Sequence, residues 1–352
     1  MKCFYASATE AHDPKFRLSA GVIARNAEQA ERAHLLLAGL DRLGLATSEP
    51  GPVAREVLTR VHPERFLSFL ETCWEDWQKL PNAGPEVVPN VHPLNSVATY
   101  PQHILGRAGW HLGDTSAPIG RNSWVASLGA AAAAHDAARA VLAGDDSAYA
   151  LCRPPGHHTS AEVAAGHCLL NNAAIAAEVL RESHERVAVL DIDVHHGNGT
   201  QDIFYDRDDV LMVSVHATPE SYYPFFTGYE SETGRGKGEG FNLNLPLPRS
   251  TSDDGWCTAI EAGLARIAEY KPGALVLSLG LDAHENDPLE GLKVTFDGFL
   301  RAGRMIAAAG LPTVLVQEGG YLSPDLTTSL TAFLAGYTGQ DIELTPPAQP
   351  AI

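Results

Sequence analysis

Two carboxylates and two histidines lie within six residues of one another at the end of an apolar run. The segment Asp191-Ile-Asp193-Val-His195-His196 directly follows residues 186–190, Arg-Val-Ala-Val-Leu. A β-strand points alternate side chains to the same face, so Asp191, Asp193 and His195 share one side where this strand ends. Two carboxylates and an imidazole buried together need a cation to offset their charge. This spacing therefore indicates a metal site.

Three further segments carry groups that do chemistry. Tandem histidines, His157 and His158, follow the turn Arg-Pro-Pro-Gly. A single histidine is usually structural, but two adjacent imidazoles in a chain with spare carboxylates favour an acid–base pair. Asp282 closely follows another apolar run, and Tyr321 lies on the glycine-containing loop Glu-Gly-Gly-Tyr after a third. Each segment therefore begins where a predicted strand ends.

Strands alternate with helices along the chain. Apolar runs predict strands at residues 2–6, 148–152, 187–194, 210–215, 274–279 and 313–316, and helices are predicted at 123–143, 171–183, 255–270 and 295–309. Such alternation predicts a parallel sheet covered by helices on both faces. Ligands of these sheets bind beyond the carboxyl ends of the strands. The chemistry-bearing segments all fall at those ends, which supports one shared site.

Two long segments lack clear periodicity. Residues 81–120 contain six prolines, and residues 219–240 are rich first in aromatics and then in glycines. Long loops inside a compact domain are usually functional, so we expect both to surround the mouth of the site. Residues 1–345 are expected to form one catalytic domain that contains residues 81–120 as an insertion, and residues 346–352 a disordered tail.

Composition excludes some classes of function. The net charge of -18 argues against a nucleic-acid partner. It would steer cationic substrates toward the protein, or it is simply the charge of an acidic globular protein. No apolar run approaches the roughly 20 residues that span a membrane, and the N-terminus has no signal-peptide core. Five scattered cysteines form no disulfide or zinc spacing, so a reducing cytoplasm is expected.

Taken in order, these motifs resemble the histone deacetylase superfamily, which includes bacterial acetylpolyamine amidohydrolases. The resemblance runs from about Pro14 to Tyr321, and residues 81–120, 222–229 and 240–246 are most similar to the acetylpolyamine branch. It implies a single-domain α/β fold of the arginase/deacetylase type. A central parallel sheet of about eight strands would carry helices on both faces.

The resemblance implies one zinc ion bound by Asp193, His195 and Asp282, with Fe²⁺ or Co²⁺ as alternatives. Three nitrogen and oxygen ligands with an open position are typical of catalytic zinc. The related ureohydrolases bind two metals and have a carboxylate where this chain has His284. Because two neighbouring divalent ions need carboxylates to offset their charge, we expect a mononuclear site.

Catalytic roles are also implied by the resemblance. His157 would pair with Asp191 and stay charged, while His158, beside Asn198, would act as the general acid and base. Tyr321 would donate a hydrogen bond to the oxyanion.

A structural potassium ion is implied near Asp191, His195 and Ser214. Ser214 is explained equally well as an ordinary strand residue.

The walls of the substrate tunnel would be Tyr223 and the segment Gly166-His167-Cys168. The family normally has an aromatic residue at the position of His167, and a charged imidazole there would repel a cationic substrate. The leading hypothesis is hydrolysis of small, cationic acetylpolyamines by a homodimer in which residues 81–120 narrow the tunnel. The alternatives are a deacylase of acetyl-lysine or of another small amide, and a binding module without activity.

Overall fold

The computed structural model describes residues 1–94 and 97–343. The strands are β1 (Lys2–Phe4), β2 (Phe16–Ser19), β3 (Val22–Arg25), β4 (Thr47–Ser48), β5 (Ser147–Ala150), β6 (Val187–Asp191), β7 (Val210–Ala217), β8 (Asn242–Leu247), β9 (Ala274–Leu279) and β10 (Thr313–Gln317). The helices are α1 (Glu31–Asp41), α2 (Arg55–Leu58), α3 (Glu64–Trp77), α4 (Ile104–His111), α5 (Ser123–Leu142), α6 (Asn172–Leu180), α7 (Asn198–Phe204), α8 (Asp253–Tyr270), α9 (Phe296–Ala308) and α10 (Leu326–Thr338).

Eight strands form one parallel sheet in the order β4-β1-β5-β10-β9-β6-β7-β8. The predicted α/β fold with about eight parallel strands is therefore confirmed. All six predicted strands and all four predicted helices are present, with ends within three residues of the expected ones. Strands β5, β10, β9, β6 and β7 are consecutive neighbours, so the loops after them meet at one edge of the sheet.

Both faces of the sheet are covered because successive strand residues face opposite sides. On one face, Val187 and Val189 of β6 belong to a core that includes residues of α3, α5 and α6. On the other face, Ala188 and Leu190 belong to a core with residues of α1, α8, α9 and α10. Burial on both sides explains why these strands are continuous apolar runs rather than alternating ones.

The sequence patterns did not predict strands β2, β3, β4 and β8 or helices α1, α2, α3, α4, α7 and α10. Strand β8 (Asn-Leu-Asn-Leu-Pro-Leu) alternates polar and apolar residues at the edge of the sheet. Strands β2 and β3 form a separate antiparallel hairpin in which Phe16 pairs with Arg25. Residues 81–120 are also more regular than expected, because they contain α4, whose Ile104 and Ala108 are buried. The expected tail, residues 346–352, lies outside the described residues.

In the described parts of the chain, no helix has the length and apolar character needed to cross a membrane.

Candidate active site

Asp193, His195 and Asp282 form a buried group at the carboxyl edge of the sheet. Nδ1 of His195 lies 3.0 Å from Oδ1 of Asp193 and 3.2 Å from Oδ2 of Asp282. One potential ligand atom from each residue lies within 4.8 Å of the others. Two residues come from the segment after β6 and the third from the segment after the neighbouring strand β9. The structure therefore brings together all three residues of the predicted zinc set.

The pKa values of these three residues are shifted by burial and by one another's charges, in a way that favours binding of a cation. Burial would lower the pKa of His195, but hydrogen bonds and charges from Asp193 and Asp282 outweigh it and raise the pKa to about 9. Burial would raise the pKa of Asp193, yet the charges of His157 and His195 hold it below its ordinary value. Burial and the charge of Asp193 raise the pKa of Asp282. Negative charge is thus concentrated where a cation would relieve its repulsion.

The tandem histidines lie beside this group and have different partners. Nδ1 of His157 is 2.9 Å from Oδ2 of Asp191, and Nδ1 of His158 is 2.6 Å from Oδ1 of Asn198. Burial would lower the pKa of His157, but the charges of Asp193 and Asp191 raise it well above its usual value. Burial and the positive charges of His157 and His195 lower the pKa of His158. His157 is therefore held charged and His158 neutral.

A cavity of about 470 Å³ leads from the protein surface to His158, His195 and Tyr321. Gly166, His167 and Tyr223 contribute to its walls, as expected for the predicted substrate-binding residues. The Tyr223 ring meets the His158 ring edge-on, with centroids 4.9 Å apart. Burial raises the pKa of Tyr321 well above its usual value, so its phenol keeps the proton that it can donate.

His167 is uncharged in the folded protein at neutral pH. Its Nδ1 lies 2.8 Å from the carbonyl oxygen of Ser116, and burial lowers its pKa to about 4. Its ring centroid lies 5.5 Å from that of Tyr321. The imidazole therefore serves as a neutral ring in the tunnel wall, and the expected repulsion of a cationic substrate by His167 does not arise at neutral pH.

Asp114 links the two walls of the cavity, Tyr223 and the segment that begins at Gly166. Its Oδ2 accepts hydrogen bonds from the Tyr223 hydroxyl at 2.7 Å and from the Gly166 amide at 3.1 Å, while Oδ1 accepts one from the Ser116 amide at 2.8 Å. The sequence had shown only that residues 81–120 contain this carboxylate. Asp114 and Tyr223 are far apart in the chain, so their contact could not be predicted from the sequence.

Arg32 is a second residue that the sequence did not reveal. It is fully buried and donates hydrogen bonds to the carbonyl oxygens of Gly320 and Glu318 at 2.6 and 2.7 Å. Its guanidinium lies 4.9 Å from the centre of the Tyr321 ring, and Glu28 accepts a hydrogen bond from it at 2.5 Å. Arg32 thus fixes the loop that carries Tyr321.

His284 is not part of the ligand group. Its ring stacks on Phe296 at 4.7 Å, and its Nδ1 accepts a hydrogen bond from the Asn286 amide at 3.2 Å. The ring of His284 is therefore engaged by Phe296 and Asn286, and a mononuclear site remains a prediction.

Ser214 lies beside Asp191, since the two residues are paired in register between β7 and β6. Its hydroxyl is 2.8 Å from Nδ1 of His216. Two members of the expected potassium site are therefore neighbours.

A second group of potential metal ligands consists of His157, Cys168 and Glu318. Burial raises the pKa of the Cys168 thiol well above its usual range and that of Glu318 to about 7. Metals bind the thiolate and the carboxylate rather than their protonated forms. His157 is already hydrogen-bonded to Asp191. This group is consequently a poorer cation site than the one formed by Asp193, His195 and Asp282.

The mouth of the cavity differs from what the sequence predicted. Of residues 81–120, only Ser116 contributes to the described cavity lining, whereas Tyr222, Tyr223 and Phe225 contribute from the expected aromatic segment. The β2–β3 hairpin supplies residues 17–20 to the rim. The hairpin, not the proline-rich segment, therefore borders the entrance within one chain.

Comparisons with known proteins agree with this geometry. A family model described as the histone deacetylase domain matches residues 26–337. The chain is 41% identical over 327 residues to an acetylpolyamine amidohydrolase of Burkholderia pseudomallei, covering 93% of this chain and 95% of that protein. It is 36% identical over 341 residues to an acetylpolyamine amidohydrolase of Mycoplana ramosa, covering 96% of this chain and 100% of that protein. The chain belongs to the histone deacetylase family.

Structural comparison gives the same result. A crystal structure of an acetylpolyamine aminohydrolase from Burkholderia pseudomallei matches with a TM-score of 0.92 at 41% identity, covering 96% of this chain and 98% of that one. The resemblance to acetylpolyamine amidohydrolases that the motifs indicated is confirmed.

Proposed function

We propose that this protein is a zinc-dependent amidohydrolase that deacetylates small N-acetylated amines, releasing the free amine and acetate. The observation that supports this proposal most strongly is the buried group of Asp193, His195 and Asp282 beside a neutral His158 at the end of a cavity. The names of its relatives favour acetylpolyamines, of the acetylputrescine, acetylcadaverine and acetylspermidine type, as the first substrates to test.

Asp193, His195 and Asp282 fit a zinc-type ion, with Fe²⁺ or Co²⁺ as alternatives. Oδ2 of Asp282 is buried, and its near polar neighbour is the His195 ring nitrogen at 3.2 Å, which has no good hydrogen-bond geometry to it; a cation between the two would satisfy both. Nitrogen and oxygen donors suit zinc, and three protein ligands leave a position open. Such an ion polarises an amide carbonyl and lowers the pKa of a bound water.

The protein's own side chains move the proton and stabilise charge. His158 is held neutral, so it can accept a proton from the attacking water and pass it to the departing amine. His157 remains charged beside Asp191 and stabilises negative charge without transferring a proton. The Tyr321 phenol donates a hydrogen bond to the oxyanion of the tetrahedral intermediate. Asn198 orients His158, because its Oδ1 accepts a hydrogen bond from Nδ1–H of His158.

We propose a structural potassium ion close to Asp191, His195 and Ser214. The register pairing of Asp191 with Ser214 and the burial of both support a shared cation.

A homodimer is also proposed. Val91 and Leu94 expose 52% and 95% of their surface, and Val22 and Ile23 on the hairpin expose 66% and 73%. Exposed apolar groups of this kind are typical of interaction surfaces. A second copy would cover them and restrict entry to the cavity.

The five cysteines are all free and buried, which supports a reducing compartment such as the cytoplasm.

A substrate comparison tests the proposed function. Zinc-loaded protein would be assayed with acetylputrescine, acetylspermidine, acetylcadaverine and an acetyl-lysine peptide, and release of both acetate and amine would be measured. We expect turnover of the small acetylated amines to exceed that of the peptide. Faster cleavage of the peptide would favour a protein deacylase instead, and release of no acetate from any of them would refute the proposal.

A further inference from the structure

Arg17 places an unpaired positive charge at the entrance of the cavity. It lies on β2 of the hairpin and lines the cavity with Ser116 and His167. Its Nε is buried without a hydrogen-bond partner, and the described residues provide no ion-pair partner for its guanidinium. An arginine that lines a cavity without a protein partner can bind a carboxylate through its planar array of donors.

The described lining of the cavity contains no carboxylate to balance this charge. The nearest acidic residue, Asp114, already has both oxygens engaged by Tyr223, Gly166 and Ser116. Asp114 keeps its negative charge, but its oxygens are directed at those three donors and it does not line the cavity, so the ammonium group of a substrate would meet Arg17 without a carboxylate in the lining to bind it. Like charges brought close together at a partly desolvated site repel strongly.

We propose that Arg17 binds a carboxylate at the far end of the substrate, so that the site takes N-acetylated ω-amino carboxylates in preference to acetylated diamines of the same length. The inference rests on the proposed amide hydrolysis and specifies its substrate class. The acetamide C–N bond breaks, the water oxygen joins the acetyl carbon, and the nitrogen gains a proton. The products are acetate and a free ω-amino carboxylate.

The net charge of -18 acts against this preference only at long range. Charges beyond about 10 Å are largely screened at ordinary ionic strength, whereas a contact inside a partly buried cavity is screened much less. The positive charge of Arg17 in the cavity, rather than the negative net charge of the protein, therefore decides whether a carboxylate or an ammonium group is bound.

Three compounds of matched length isolate the effect of the end group. Acetamidobutyrate ends in a carboxylate, N-butylacetamide in a methyl group and acetylputrescine in an ammonium group. For the zinc-loaded wild type we expect kcat/KM to fall in that order. Arg17→Gln should lower kcat/KM for acetamidobutyrate by about 10-fold or more, mainly through KM, because one charge-assisted contact is lost. The value for N-butylacetamide should change by less than about 2-fold, since it makes no such contact.

Reversing the charge gives a second, stricter test. Arg17→Glu should make acetylputrescine the best of the three compounds. The matched control is Arg25→Gln, because Arg25 lies on the same hairpin, pairs with Glu31 at 3.4 Å and does not line the cavity. It should leave the order of the substrates unchanged.

The outcomes separate this inference from the proposed function. If the wild type cleaves acetylputrescine better than acetamidobutyrate, or if Arg17→Gln changes all three compounds equally, the inference is wrong while amide hydrolysis stands. If none of the three is cleaved while acetylspermidine, acetylcadaverine or the acetyl-lysine peptide is, the inference is wrong and amide hydrolysis stands; if no acetate is released from any of these compounds, both are wrong.

Discussion

His157 and His158 are adjacent in the chain, with ring centroids 4.1 Å apart, yet they face chemically different partners. Nδ1 of His157 faces the carboxylate of Asp191 at 2.9 Å, and Nδ1 of His158 faces the amide oxygen of Asn198 at 2.6 Å. A carboxylate stabilises an imidazolium, whereas a neutral amide orients the ring with far less effect on its charge. The two histidines of this site therefore have different protonation states: His157 is charged and His158 is neutral.

This difference predicts unequal effects of two substitutions. His158→Ala should lower kcat by about 100-fold or more, because a general acid and base contributes that much. His157→Ala should lower kcat less, and it should leave unchanged the limb of the pH profile that reports the base. The pH dependence of kcat/KM for both variants checks the assignment. If His158→Ala keeps the limb that reports the base and His157→Ala loses it, the roles are reversed.

Tyr321→Phe removes a hydroxyl and leaves the ring. Arg32 would still lie over the ring and hold its loop, so fold and metal content should be unchanged. Loss of one oxyanion donor should lower kcat by about 100-fold. Steady-state kinetics with metal analysis of the same sample measures both quantities. Activity equal to that of the wild type would show that the phenol does not contact the oxyanion.

His62 predicts a loss of stability in weak acid. It is buried, its Nδ1 lies 2.9 Å from the Ala161 carbonyl oxygen, and its Nε2 accepts a hydrogen bond from the Asn171 amide at 2.9 Å. Burial lowers its pKa from 6.5 to about 4. Because the unfolded chain takes up the proton first, the free energy of unfolding should fall as pH drops from about 6.5 to about 4.

The contribution of His62 to this loss is on the order of 3 kcal/mol. His62→Gln keeps one donor and one acceptor but does not titrate, so its unfolding free energy should depend less on pH. Denaturant unfolding of both proteins at several pH values between these limits provides the test. Parallel pH curves would show that His62 does not contribute.

Substitutions in the segment at residues 81–120 should disrupt the proposed dimer. Because α4 is packed into the core, replacing the whole segment would also disturb the fold. Val91→Ser combined with Leu94→Asp changes only exposed side chains and should give monomers in light scattering. Val125→Asp, at a side chain 55% exposed on α5, is the matched control and should stay dimeric.

A monomer should also accept larger substrates. Activity on acetyl-lysine peptides should rise relative to acetylputrescine in the double variant and not in the control. A double variant that remains dimeric, with unchanged substrate ratios, would show that this segment is a passive surface feature.

The sequence predicted the central strands of the sheet, because a strand that is buried on both faces is apolar throughout. Strand β9 was predicted at its observed bounds, residues 274–279, because both of its faces are covered and it is apolar throughout. Strand β8 was missed because its polar and apolar residues alternate, and the other strands were recognised as continuous apolar runs. The hairpin of β2 and β3 was missed because its exposed Val22 and Ile23 resemble neither a core strand nor a polar loop.

The candidate site was predictable where its residues directly follow a strand. Asp193 and His195 were expected to share one face of a strand, but β6 ends at Asp191 and both residues lie just beyond it. They meet Asp282 because the ends of the neighbouring strands β6 and β9 lie side by side. Arg17, Arg32 and Asp114 could not be placed from the sequence, because each approaches the site from a segment far away in the chain. Their roles follow from contacts that only the folded protein shows.

One metal ion bound by Asp193, His195 and Asp282 is proposed to make this protein an amidohydrolase. Metal-free protein would be titrated with zinc while acetate release from a small acetylated amine is followed. We expect activity to rise and saturate at about one equivalent of zinc per chain, since the site has one set of three ligands. Asp282→Asn should bind zinc weakly and remain inactive. Saturation near two equivalents, or full turnover without added metal, would contradict the account.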